Sequence, residues 1–158
     1  MKATKLTSQI QKELRKINPE VRVEIDTEFA YFYDSNIITY CPFQLYPEQE
    51  EAFADFVEKT FDFDLRPHSF LFALLHEVGH SMTMDSLEDD ELTSELIMRE
   101  AVHLMDTDKG NDLYFNLPSE WMANEWAVDY FKTNFDKCIK LENKIQKMLN
   151  HYYKKIQG

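Results

Sequence analysis

The hydrophobic period of this chain changes once, near Pro47. Before it, Ile10, Leu14 and Ile17 recur at helical spacing, which predicts an amphipathic first helix ending before Pro19. Val21-Arg22-Val23-Glu24-Ile25-Asp26 then alternates apolar and polar residues, the period of a half-buried strand. Phe29-Ala30-Tyr31-Phe32-Tyr33 and Ile37-Ile38-Thr39-Tyr40-Cys41 read as two more strands, and Asp34-Ser35-Asn36 between them supplies a hairpin turn. From Pro47 the apolar positions return every three or four residues, and helices are expected over roughly 47–60, 67–83, 90–105, 119–134 and 136–156. The predicted class is α+β: a short antiparallel three-stranded sheet packed with about five or six helices, in one domain spanning 1–158. Asp106 to Leu117 is the one long connector, read as a loop that either covers a cleft or simply joins two helices.

One helix carries chemistry. Ser69-Phe70-Leu71-Phe72-Ala73-Leu74-Leu75 leads into His76-Glu77-Val78-Gly79-His80, an H-E-x-x-H pattern. Residues four apart on a helix lie one above the other, so the two imidazoles can share one metal ion. Glu77, beside that face, is placed to take a proton from water that the metal activates. Leu71, Leu74, Leu75 and Val78 give the helix a side for burial. Gly79 costs a helix about 1 kcal/mol against Ala, and a close approach by another chain segment beside the metal accounts for it.

Two histidines do not complete a catalytic zinc site; a third protein ligand is usual. The extended pattern H-E-x-x-H-x-x-G-x-x-H fails, because Thr83 and Ser86 occupy the positions of its last Gly and last His. His103 is one candidate. The others lie in Pro118-Ser119-Glu120-Trp121-Met122-Ala123-Asn124-Glu125-Trp126-Ala127-Val128-Asp129, where Ser119 is placed to cap a helix. Glu120 and Glu125 point about 140° apart on that helix, so only one of them can face the metal. Ala123 and Ala127, three and seven residues after Glu120, form a small-residue strip that allows close helix approach; Glu125 has Val128 at the matching place. Glu120 is preferred on that ground.

H-E-x-x-H followed by Glu on a second helix resembles the gluzincin metallopeptidases, whose fold is zincin-like with the metal between two helices. Glu120-x-x-Ala123-Asn124-x-Trp126-Ala127 is similar to the E-x-x-A-[ND]-x-F-A signature of the small phage and bacterial ImmA/IrrE-like immunity-repressor peptidases, with Trp126 in place of Phe. This resemblance implies a zinc ion held by His76, His80 and Glu120, with Asn124 bracing a ligand histidine. It also implies hydrolysis of peptide bonds in a selective protein substrate, such as a repressor or regulatory protein. A rival reading is that Asn124-Glu125-x-x-x-Asp129 resembles the N-E-x-x-x-D of thermolysin-like gluzincins, with Glu125 as ligand and Asp129 as brace.

Charge narrows the partners. A formal net charge of −12 argues against nonspecific nucleic-acid binding, which needs a basic footprint. The dense acidic run from Asp85 to Glu91 reads as a solvated helix start, or as a feature favouring a basic substrate segment. The longest apolar run, Phe70 to Leu75, is too short to cross a bilayer, and the first residues lack an apolar export core, so a cytoplasmic location is expected. Cys41 and Cys138 lack metal-type spacing and are expected as free thiols. For a peptidase, His103, Tyr40 and Tyr130 are the candidate partners of the carbonyl oxygen, and Ile37 to Tyr40 is the candidate edge for an extended substrate. The alternatives are a metal-containing binding or regulatory module that cleaves nothing, and a metal-free acidic interaction protein.

Overall fold

The computed structural model describes residues 3–43, 47–102, 105 and 107–158. The elements run α1 (Ala3–Leu14), β1 (Arg22–Ile25), β2 (Ala30–Phe32), β3 (Ile37–Tyr40), α2 (Pro47–Phe61), α3 (Ser69–Thr83), α4 (Asp89–Val102), α5 (Thr107–Phe115), α6 (Pro118–Thr133) and α7 (Phe135–Gln157). Short 3-10 turns precede and follow α3. The fold is α+β, with a three-stranded sheet and helices around it. No described helix is long and apolar enough to cross a membrane.

The core is built around α3. Every residue of α3 from Leu71 to His80 is buried. Leu6, Ile10 and Leu14 of α1, Ile38 and Tyr40 of β3, and Phe131 of α6 join the same hydrophobic cluster. The amphipathic pattern read for the first helix is therefore its packing face, although the helix ends at Leu14 and the turn through Ile17 continues to Asn18 by backbone bonds. α7 lies against α1 and α6 and closes the cluster with Cys138, Ile145 and Leu149. Cys41 and Cys138 are both free.

The sheet differs from the expected antiparallel arrangement in one pairing. The β2–β3 hairpin is antiparallel, with Ala30 opposite Thr39 and Phe32 opposite Ile37, and Asn36 takes the positive φ of 55° that its turn requires. β1 pairs with the other side of β3 in parallel, Arg22 opposite Ile37 and Ile25 opposite Tyr40, so the order is β1-β3-β2. The physical reason lies in β3 itself. Ile38, Thr39 and Tyr40 are all buried, which suits a strand paired on both sides. The expectation that Ile37 to Tyr40 forms an edge is thereby corrected: among the described residues β2 and β1 are the edges.

A second correction concerns Asp106 to Leu117, read as a loop. Its described part is largely the helix α5. Asp, Asn and Gly lower its intrinsic helicity, but Gly110 fits against the Val102 backbone and Phe115 packs on Phe53 and Phe56 of α2. Tertiary packing overrides propensity here.

Candidate metal centre

Among the described residues, α3 and α6 share the most extensive helix–helix contact. A β-carbon added at Gly79 would lie 2.6 Å from the Ala123 backbone oxygen and 3.1 Å from its Cα. Only a residue without a side chain fits there, because the Ala123 backbone itself occupies the space a side chain would take. This is the close approach that Gly79 implied, and it brings one turn of α6 against the H-E-x-x-H turn of α3.

His76, His80 and Glu120 consequently offer ligand atoms that all lie within 4.8 Å of one another. Glu120 Oε2 is 2.9 Å from His76 Nε2 and 3.2 Å from His80 Nε2. A tetrahedral ion with bonds of about 2.0–2.1 Å sets its ligands about 3.3 Å apart, so the spacing suits a divalent metal ion. The two rings stand perpendicular, their centroids 4.7 Å apart. His76 Nδ1–H donates to Asn124 Oδ1 at 2.6 Å, which leaves Nε2 on the side of Glu120. Glu77 Oε1 is 4.0 Å from His76 Nε2. The four side chains are 3–8% exposed.

Glu125 is elsewhere. It is exposed and lines a shallow surface cleft with Thr83, Met122, Trp126, Asp129 and Tyr130. Among the described residues, the structure thus brings Glu120, and not Glu125, to the histidines. His103 lies outside the described residues. Tyr40, wholly buried, shares a hydrogen bond with Thr7 Oγ1 at 2.9 Å, and Tyr130 stacks on Trp126 in the cleft that Glu125 lines.

Other side chains close the site, and the sequence reading missed them. Arg99 of α4 donates from Nη2 to Glu120 Oε1 at 2.8 Å and to Ser119 Oγ at 2.9 Å. Glu95, one turn earlier, accepts the Ser119 backbone N–H at 2.7 Å and its hydroxyl at 2.6 Å. The cap of α6 is therefore a carboxylate from another helix; Ser119, expected as the cap, is the second residue after Leu117 and has its own side chain engaged by Glu95. The Tyr114 ring of α5 covers the Arg99 guanidinium, 5.4 Å from its centroid. Phe53 meets His76 edge-on at 5.7 Å, and Tyr31 of β2 stacks parallel to His80 at 6.3 Å.

The electrostatics follow from crowding. Three buried carboxylates, Glu77, Glu95 and Glu120, stand around the Arg99 guanidinium, and a divalent cation at the ligand cluster would offset their excess negative charge. Burial opposes charge on Glu120, but the bonds from His76 and His80 hold its carboxyl well below the usual range. Burial likewise opposes protonation of His76, yet Glu120, then Glu77 and Asn124, push it up to about 9. Glu77 is raised, by burial first, against the attraction of both histidines. The Tyr114 hydroxyl is raised by burial and by the Glu120 and Glu77 charges, while part of its ring remains in solvent. His80 Nδ1 and Asn124 Nδ2 are buried without a partner among the described residues, and unpaired buried groups of this kind concentrate at functional sites.

No family model, no curated protein and no solved structure matches the chain. The donor set itself carries the functional reading: two imidazoles and one carboxylate on facing helices, with a second carboxylate beside them.

Proposed function

We propose that the chain is a single-domain zinc-dependent peptidase of the gluzincin type, with the ImmA/IrrE-like repressor peptidases as the group its motifs most resemble. The observation that carries the proposal is Glu120 Oε2 facing both His76 Nε2 and His80 Nε2 while Glu77 stands beside them. His76, His80 and Glu120 fit a zinc ion as ligands, with Asn124 fixing the tautomer and orientation of His76. Zinc in such a site acidifies water and polarises a carbonyl oxygen.

In this proposal Glu77 takes one proton from the attacking water as oxygen bonds to the peptide carbonyl carbon. It then delivers that proton to the amine as the carbon–nitrogen bond breaks. Its proton affinity is raised, by burial first, the direction that makes a carboxylate a stronger base. Tyr114, whose ring covers the Arg99 that bonds Glu120, is proposed over Tyr40 and Tyr130 as the phenol that donates to the developing oxyanion. An extended substrate would add a strand to the outer side of β2, whose Tyr31 already stacks on His80. A protein substrate is favoured by the outer face of α4, where Leu96 and Ile97 are 65% and 68% exposed beside the acidic run that begins the helix.

Two measurements test the proposal. Purified protein should hold about one zinc per chain, and Glu77→Gln should keep that zinc while losing about 100-fold or more of any peptide hydrolysis. A chain that takes up no zinc, or a Glu77→Gln variant with unchanged turnover, sinks the peptidase reading. The burial of the ligands and base under α4 and α5 favours one alternative, a metal-containing module that regulates a protein partner without cutting it. Zinc at full occupancy with no cleavage of a bound partner would select that alternative.

A further inference from the structure

We propose that Arg99 is a positioning residue: it holds Glu120 Oε1 and so restricts Glu120 to a single-oxygen ligand through Oε2. The inference rests on the metal reading above and adds the device that orients its carboxylate.

Glu120 uses its two oxygens differently. Oε2 faces both histidine nitrogens, whereas Oε1 accepts from Arg99 Nη2 at 2.8 Å. Glu120 is 3% exposed, so solvent does not compete for Oε1. A carboxylate free of that bond can turn both oxygens to a metal, which would fill a coordination position otherwise left for water or substrate. The guanidinium cannot follow such a rotation, because it is itself tied down. The same Nη2 donates to Ser119 Oγ at 2.9 Å, and Glu95 Oε2 lies 3.3 Å from it. Glu95 is 5% exposed and is anchored in turn by the Ser119 N–H and hydroxyl. The Tyr114 ring covers the guanidinium from α5. Arg99 therefore reads the position of α4 against the start of α6 and transmits it to one oxygen of a ligand. Nη2 meets Glu120, Ser119 and Glu95 at once while Nε, 3.4 Å from Glu95 Oε2, fixes the plane of the guanidinium; a lysine ammonium is one bond shorter and has no second nitrogen to fix it.

The test is cobalt substitution in the full chain, comparing wild type with Arg99→Met, which keeps the apolar stem, and Arg99→Lys, which keeps the charge. Cobalt affinity is measured against a competing chelator, and the visible absorption reports coordination, because four-coordinate cobalt absorbs more strongly than five- or six-coordinate cobalt. The expected result is an intense band in wild type and a weaker, shifted band in Arg99→Met with cobalt affinity lowered about 10–100-fold. Arg99→Lys should lie between the two. If Arg99→Met does not fold, Arg99→Lys decides alone: its band must still differ from wild type. An unchanged band and affinity in the folded variants, with only a lower melting temperature, overturns the inference and makes Arg99 a structural ion pair. Wild type that binds no cobalt overturns the metal reading itself, and this inference with it. Wild type that binds cobalt beside indifferent variants overturns the inference alone.

Discussion

The metal centre lies between two helix pairs built on opposite plans. α3 and α6 meet through apolar and small residues, and Gly79 leaves room for the backbone of Ala123 where a β-carbon would clash. α4 and α5 face the same site with Glu95, Arg99 and Tyr114, and α4 turns Leu96, Ile97 and Met98 outward. α4 is thus inverted relative to an ordinary surface helix, whose apolar stripe faces the core. The difference teaches how labour is divided. Close packing is stiff and brings His76, His80 and Glu120 together by shape. Charged contacts are directional and orient the carboxylate that packing has delivered.

The sharpest break of that comparison is at the ligands. Glu120→Ala should lose zinc affinity by more than the roughly 10–100-fold typical of removing an outer partner, whereas exposed Glu125→Ala should stay within about 2-fold. A side-by-side titration against a competing chelator measures both; loss in Glu125→Ala instead would restore the thermolysin-like register.

Packing comes next. Leu74→Ala on α3, wholly buried, should cost about 2–5 kcal/mol in urea unfolding. Leu96→Ala on α4 should move stability by no more than about 0.5 kcal/mol, because the side chain is 65% exposed. Equal losses would mean that the outer face of α4 is covered in solution.

The two helical glycines should respond with opposite signs. Gly79→Ala sets a methyl group 2.6 Å from a backbone oxygen, and overpacking of about 1–3 kcal/mol outweighs the gain in helix propensity of about 1 kcal/mol. At Gly110 the nearest atom to an added methyl is 3.4 Å away, an ordinary contact, so Gly110→Ala should be neutral or stabilising by up to about 1 kcal/mol. Melting temperatures of the two variants decide this.

The pH dependence of the metal-free chain probes the ligands again. His76 is raised from an ordinary 6.5 to about 9 in the folded state, so its stabilising contribution is complete below 6.5 and disappears as pH rises through 9. Glu77, also raised, adds a loss of the same sign that begins above its ordinary 4.5. Zinc needs His76 without its Nε2 proton, so zinc affinity should rise over the same interval. Urea titrations with and without metal from pH 6 to 10 should therefore show opposite trends in stability and in affinity.

Much of the α3–α6 pair was legible because its information is local. His76, Glu77 and His80 share a helix turn, and Gly79 announced a close neighbour before that neighbour was known. The strip at Ala123 and Ala127 distinguished Glu120 from Glu125 by size alone, and the resemblance named Asn124. The strands and the β2–β3 hairpin were equally readable from alternation and turn residues. Arg99, Glu95 and Tyr114 carried no such signal. On α4, Glu95 and Arg99 look like part of a solvated face and Leu96 and Ile97 like a core face, and in the fold these four exchange places.

By itself, then, the sequence determined which residue types recur with which period, and hence the helix that carries H-E-x-x-H, the second helix with its small-residue strip, and the three strands. Tertiary structure decided the partners across long separations: β1 beside β3 in parallel, α5 as a helix held by Phe53 and Phe56, and Arg99 on the far oxygen of Glu120. The physical reason is that period encodes how residues of one segment share a face. What lies opposite that face depends on the packing of segments 20 or more residues apart, as Arg99 and Glu120 are, and one segment's pattern does not contain it.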